Sequence, residues 1–155
     1  AIKDFAKAFY YYQGVERVRP NTLSTLFYIG MCYTALNQYD EALQYFFKMS
    51  FIKEGDKRAD RAIGWTSFLT GNLEQAKRYY DNVLNGQPIA VDYLNAGHIY
   101  WALKDIPAAV SFYNKAIMLY GSKEEFLQLL FKDKTHLIKQ GILKSDFPLM
   151  IDLLD

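Results

Sequence analysis

A repeat with a period of about 34 residues constrains the fold of this chain more than any other feature of its sequence. The glycines, the alanines and the aromatic residue four positions after each alanine all recur at this interval, to within one position. The three sets are Gly30, Gly64 and Gly97; Ala42, Ala76 and Ala109; and Phe46, Tyr80 and Tyr113. A fixed period of this size, in a chain with 17% aromatic residues, indicates an array of stacked helix pairs.

The pattern resembles the tetratricopeptide repeat family, whose signature has small residues at the glycine and alanine positions and aromatic residues around them. A proline closes each unit in that family, and Pro20 and Pro88 stand at the closing position here. The resemblance covers roughly the first four-fifths of the chain. It implies an all-α fold, a right-handed superhelical array of antiparallel helix pairs, followed here by a C-terminal helical cap.

In this frame the 155 residues form one domain. We predict the second helix of an incomplete repeat at 1–21, full repeats at 22–55, 56–88 and 89–121, and capping helices at 122–155. Helix starts are expected at Asn21 or Thr22, Asp56, Asp105, Ser122 and Ser145. One helix is expected to run from Ser122 to Gly141, and a short one over about 146–154.

The first helix has an apolar face with Phe5, Phe9 and Tyr12 in helical register and no first helix to pair with. We expect another copy of the chain or upstream sequence to cover this face. No signal peptide is recognisable and residue 1 is not methionine, which leaves room for a trimmed segment. The sequence leaves the compartment open, with a cytoplasmic location slightly favoured.

Composition argues against several classes of function. The net charge of +1 provides no broad basic field for nucleic acid. Cys32 is the only cysteine, which excludes an intrachain disulfide, and no apolar run approaches the roughly 18 residues of a membrane span. His98 and His136 have no carboxylate or thiol at ligand spacing. We therefore predict no catalytic residues, no metal and no cofactor.

Each first helix carries a second apolar stripe, opposite the stripe that contacts its own pair partner. With the glycine at zero and 100° per residue, this stripe lies between about 60° and 160°. The family resemblance implies that it lines a concave groove where a peptide or partner helix binds. The predicted groove residues are Phe27, Tyr28, Met31, Arg58, Arg61, Trp65, Phe68, Leu94, Asn95, His98 and Trp101.

Two alternatives to an open groove are left by the sequence. The stripe residues could instead pack between neighbouring repeats, or the last helix could cover part of the groove through Phe147, Met150 and Leu154. The family architecture favours packing of that last helix around Leu130 and Leu137, which would leave the groove open.

The predicted function is non-enzymatic protein binding, as an adaptor or scaffold for a partner that the sequence does not name. The family's clamp for a C-terminal carboxylate is absent, because Phe27 and Met31 stand where that clamp needs polar residues. The alternatives are a small chaperone of the kind that holds type III secretion translocators and, more remotely, an enzyme or a nucleic-acid-binding module.

Overall fold

The computed structural model describes residues 2–155, with side chains from residue 4 onward, and this part of the chain forms ten helices. The helices are α1 (Ile2–Val18), α2 (Leu23–Ala35), α3 (Tyr39–Ile52), α4 (Lys57–Thr70), α5 (Leu73–Leu84), α6 (Ala90–Ala102), α7 (Ile106–Tyr120), α8 (Lys123–Lys132), α9 (Lys134–Lys139) and α10 (Asp146–Asp152). No strand occurs among these described residues. The all-α prediction is confirmed.

The helices fall into two compact units, Ala1–Thr66 and Ser67–Asp155, and the boundary between them lies inside α4. In the first unit α2 packs against both α1 and α3. In the second unit α6 packs against both α5 and α7, and α8 packs against α7 and α9. The repeat boundaries given above stay predictions.

Side-chain caps begin several of these helices at the predicted positions. Asp56 Oδ1 accepts from the backbone amides of Arg58 (3.0 Å) and Ala59 (3.4 Å), and Asp105 Oδ1 accepts from the amide of Ala108 (3.1 Å). Ser122 Oγ accepts from the amide of Glu125 at 3.1 Å. Thr22 precedes α2, but its side chain makes no capping bond.

Two of the recurring glycines allow an aromatic ring of the paired helix to reach the backbone. A Cβ atom added to Gly30 would lie 2.7 Å from Cζ of Phe46. A Cβ atom added to Gly97 would overlap the ring of Tyr113 in the same way, 3.0 Å from its Cζ. Phe46 and Tyr113 are fully buried. Each glycine is therefore the site on a first helix that receives a ring from the second helix.

The C-terminal region differs from the prediction in one respect. The single helix expected from Ser122 to Gly141 is interrupted at Asp133, which separates α8 from α9. Asp133 Oδ2 lies 3.3 Å from Nε2 of the buried His98, so its side chain turns toward α6 at the interruption. The last helix does pack into the second unit, because Phe147 and Met150 are each only 2% exposed.

Candidate partner-binding surface

The second stripe of α2 is the most exposed part of the predicted groove. Tyr28 is 46% exposed and Met31 44% exposed, one turn apart on the same side of the helix. Phe27 beside them is half-buried, and its ring tilts against Phe46 with the centroids 6.2 Å apart. The structure thus brings Phe27, Tyr28 and Met31 to one face, as predicted, and leaves two of them accessible.

A ring of α1 holds Tyr28 in place. The rings of Tyr12 and Tyr28 are stacked, with centroids 4.8 Å apart and planes 15° from parallel. Phe27 meets Tyr28 edge to face at 5.6 Å. Such contacts restrict the ring of Tyr28 while part of its surface stays open to solvent.

Tyr12 is not among the predicted groove residues. The sequence places it on the face of α1 that lacks a partner helix, but Tyr12 stacks on Tyr28, and Phe9 meets Tyr33 of α2 edge to face at 4.9 Å. Part of that face is therefore covered by α2 itself. The signal in the sequence was the helical spacing of Phe9 and Tyr12, three residues apart, which the next helix along the chain could satisfy.

The predicted residues on α4 have varied exposure. Arg58 is exposed, and its guanidinium contacts the Asp56 carboxylate through Nη2–Oδ2 (3.2 Å) and Nε–Oδ1 (3.4 Å). Burial alone would raise the pKa of Asp56, but the hydrogen bonds and the charge of Arg58 outweigh it and lower that pKa. Arg61 and Trp65 are half-buried. Arg58 is thus engaged in the start of α4 as well as accessible at the surface.

Four predicted groove residues in the second unit do not present their side chains to solvent. They are Phe68, Leu94, His98 and Trp101, each no more than 2% exposed. Asn95 is half-buried and donates from Nδ2 to the hydroxyl oxygen of Tyr80 at 2.8 Å. At these four positions the alternative that the stripe is packed core holds, and the expectation that they line an open groove is wrong.

The last helix explains the burial of Trp101. The rings of Phe147 and Trp101 meet at 5.0 Å with planes at 64°, and Tyr113 meets the other side of Trp101 at 6.2 Å. Phe147 also stacks on Phe131 at 6.3 Å, and the ammonium of Lys134 lies 5.0 Å from the Phe147 ring centre. Of the two placements that the sequence left open for the last helix, the structure has the one that covers Trp101.

His98 belongs to a buried polar chain. Its Nδ1 lies 2.7 Å from the Tyr113 hydroxyl, and its Nε2 lies 3.3 Å from Asp133 Oδ2. Burial lowers the pKa of His98, although Asp133 opposes this shift, and burial raises the pKa of Tyr113 well above its usual value. His98 is 0% exposed, and its two ring nitrogens link α6 to Tyr113 of α7 and to Asp133 at the α8–α9 junction.

Two further predictions concern metals and membranes. Among the residues from 2 to 155 there is no cluster of three or more histidine, cysteine, aspartate or glutamate side chains able to hold a metal ion. Within the same range, every helix is too short or too polar to cross a bilayer.

Comparison with known proteins agrees with this architecture. Two segments match family models described as tetratricopeptide repeat, residues 24–46 and residues 93–123. The first match covers nearly all of α2 and the first half of α3, and the second covers most of α6, all of α7 and the start of α8. No curated protein matches the sequence.

Several solved structures superpose on the chain. A MamA fragment (41-end) from Desulfovibrio magneticus RS-1 does so with a TM-score of 0.74 and 19% identity, over 96% of this chain and 85% of that one. YrrB, described as a TPR protein with an unusual peptide-binding site, gives 0.68 and 12%, over 84% and 74%. A chain of the APC/C hetero-tetramer Cut9–Hcn1 gives 0.71 and 18%, over 96% of this chain and 29% of that one. At identities of 12% to 19%, these superpositions show similarity of fold alone.

The antiparallel helix pairs, with their rings seated on glycines, define a helical-repeat protein of the class that serves as scaffolds for protein–protein contacts. The two segment matches add that residues 24–46 and 93–123 match the tetratricopeptide repeat, and the chain has the fold of the solved tetratricopeptide-repeat structure on which it superposes.

Proposed function

We propose that this protein binds an extended peptide segment, without catalysis, on the surface that Tyr12, Tyr28 and Met31 form across α1 and α2. This surface is called the α2 surface below. The observation that carries the proposal is the partial exposure of Tyr28 and Met31, 46% and 44%, one turn apart on α2 and beside the ring of Tyr12 that stacks on Tyr28. Large apolar side chains that stay accessible beside a well-packed helix pair are typical of interaction sites.

The stack of Tyr12 on Tyr28 supports this role. A ring that is already held by its neighbours loses little conformational freedom when a ligand packs on it. Met31 adds an unbranched, polarizable side chain that adapts to ligands of different shape. Together they suit a partner that contributes aliphatic or aromatic side chains.

The side chains of the α2 surface also indicate that the ligand does not need a free C-terminal carboxylate. Phe27 and Met31 present no side-chain hydrogen-bond donors, and the hydroxyls of Tyr12 and Tyr28 carry no positive charge to pair with a terminal carboxylate. The segment is therefore recognised through internal apolar side chains, and not through a free C-terminus.

The other predicted groove residues divide by their exposure. Arg58, Arg61 and Trp65 stay candidates for additional contacts in the first unit, and Asn95 stays a separate prediction in the second. The buried side chains are left out of the proposed site; they are Phe68, Leu94, His98 and Trp101.

The likeness to YrrB supports peptide binding as a function that this fold can perform. A dedicated chaperone for secretion translocators is not proposed, since no contact in the structure favours it over a general scaffold.

The test begins with selection of peptides on the purified chain from a random peptide library, followed by affinity measurement in solution. A Tyr28→Ala, Met31→Ala double variant should weaken binding at least about tenfold, which corresponds to roughly 1.4 kcal/mol. The matched control is Met118→Ala with Leu119→Ala, which removes two side chains of α7 that are 72% and 51% exposed. The control should bind within about twofold of the wild type.

Amidation of the peptide's C-terminus should leave the affinity unchanged. Equal binding by the wild type and the folded Tyr28, Met31 variant would place the ligand elsewhere. A large loss on amidation would contradict recognition through internal side chains.

A further inference from the structure

The outward side of α1 carries an exposed aromatic surface that the proposed peptide site does not use. Tyr10 is 77% exposed, Tyr11 66% and Val18 80%. Gly14 lies among them, and a shallow concavity of about 550 Å³ is lined by Tyr10, Tyr11, Gly14, Val15, Arg17, Val18 and Arg19. This set is called the outer α1 face.

The outer α1 face is distinct from the side of α1 that packs on α2. At 100° per residue, Tyr11, Gly14 and Val18 fall within about 60° of one another around the axis. Phe9, which contacts Tyr33 of α2, lies on the opposite side of the helix. Tyr12, which contacts Tyr28, lies about 100° from Tyr11, and the rings of Tyr11 and Tyr12 meet edge to face at 5.3 Å.

Two helix pairs of this chain show how a helical glycine and an aromatic ring pack against each other. In two helix pairs an aromatic ring of one helix seats on a glycine of its antiparallel partner: Phe46 on Gly30, and Tyr113 on Gly97. A Cβ atom added to either glycine would overlap that ring. Gly14 is the opposite case, because a Cβ atom there would meet nothing within 4 Å. At the outer α1 face, therefore, no side chain occupies the space beside Gly14, and the rings of Tyr10 and Tyr11 are largely exposed.

We propose that a second copy of this chain covers the outer α1 face, with the two α1 helices antiparallel and Tyr11 of each seated on Gly14 of the other. In this register Tyr10 faces Val15, and the aliphatic stem of Lys7 faces Val18. The same contacts form twice about a two-fold axis, so the interface is closed and produces a dimer.

The accessible area is consistent with a weak dimer. A tyrosine side chain buries roughly 150–250 Å² when fully covered, so the exposed fractions of Tyr10 and Tyr11 provide about 600 Å² over two copies. Val18, Val15 and the stems of Arg17 and Arg19 add to this. The two tyrosines alone thus provide about half of the roughly 1,200 Å² at the lower end of specific interfaces. We therefore expect a dimer that dissociates on dilution.

Charge favours the antiparallel direction over the parallel one. Asp4 lies in the first turn of α1 and Arg17 in its last turn, so antiparallel helices place opposite charges at each end. Three cations oppose this arrangement, because Lys7 of one copy lies opposite Val18 of the other, between Arg17 and Arg19. The shape of the face, and not its charge, therefore provides most of the affinity.

The test is sedimentation of the whole chain over a concentration series, with the wild type and three variants. The wild type should show a concentration-dependent dimer. Tyr11→Ala should raise the dissociation constant at least about tenfold by removing the ring. Gly14→Leu should do the same by filling the site that the ring needs, while the open space around Gly14 leaves the monomer folded. The matched control Phe51→Ala removes a 92% exposed aromatic of α3 and should not change dimerisation.

Three results would overturn the proposal. One is a wild type that stays monomeric at every concentration reached, which leaves the face for another polypeptide. Another is a dimer that survives both Tyr11→Ala and Gly14→Leu, which places the interface on another face. The third is loss of the dimer in Phe51→Ala to the same extent. Gly14→Leu keeps Tyr12, Tyr28 and Met31 and also the ring of Tyr11 that meets Tyr12, so measuring both dimerisation and peptide affinity of this variant distinguishes failure here from failure of the proposed peptide site.

Discussion

The packing of the Phe46 ring against Gly30 can be tested by adding one methyl group, in the variant Gly30→Ala. Alanine in place of a glycine inside an exposed helix normally stabilises it by about 0.8–1.0 kcal/mol, because alanine restricts the unfolded chain more. At Gly30 the added Cβ would lie 2.7 Å from Cζ of Phe46, well inside van der Waals contact. Phe46 is 0% exposed, so its ring has little room to move.

The magnitude follows from these two opposing effects. Overpacking a well-filled site costs typically about 1–3 kcal/mol, from which the helix-propensity gain is subtracted. Gly30→Ala should therefore change the free energy of unfolding by between about zero and −2 kcal/mol. Gly14→Ala meets no neighbour within 4 Å and should stabilise by up to about 1 kcal/mol. The two variants carry the same chemical change and should differ by about 1–3 kcal/mol.

The assay is urea unfolding followed by circular dichroism, at a dilution where the chain is monomeric. Gly30→Leu extends the series, since a larger side chain must displace the ring further and should cost more than alanine. Equal free energies of unfolding for Gly30→Ala and Gly14→Ala would refute the argument, because they would mean that no ring occupies the space beside Gly30.

Two further predictions concern the second unit. The pKa of His98 is lowered by burial, so the unfolded chain binds the proton more tightly, and the free energy of unfolding should fall as the pH drops from about 6.5 toward the folded-state pKa. Urea unfolding of His98→Gln should show a smaller fall between about pH 7 and 5, and an unchanged slope would mean that His98 is not the source of the pH dependence. Phe147→Ala should cost about 3–5 kcal/mol and shift the Trp101 fluorescence to longer wavelength in a Trp65→Phe background, because the ring that covers the indole is lost. Leu149→Ala, at a position 65% exposed on the same helix, is the control, and equal spectra for the two variants would contradict the cover.

The sequence by itself determined the helical repeat and most of its local detail. A period of about 34 residues is a property of consecutive positions, and its fixed points are the glycine and the aromatic residue of the paired helix. Helix starts at Asp56 and Asp105 were likewise predictable, because a capping side chain acts on amides two or three residues away.

The part of the candidate site near α2 was also largely predictable, since helical spacing alone places Tyr28 and Met31 one turn apart on the same face of α2. Their support by Tyr12 was not predicted. That contact depends on how α1 crosses α2, and the sequence of the incomplete repeat does not set this crossing.

Only the tertiary structure decided which positions of the second stripe stay accessible. Tyr28 and Trp101 both belong to that stripe, yet Tyr28 is 46% exposed and Trp101 is 2% exposed. The difference comes from Phe147 on α10, which lies outside the repeat and has no periodic counterpart. Apolar residues in a terminal helix indicate that it packs, but the hydrophobic effect has no direction, and so the surface that it covers is set by the shape of the unit into which it packs.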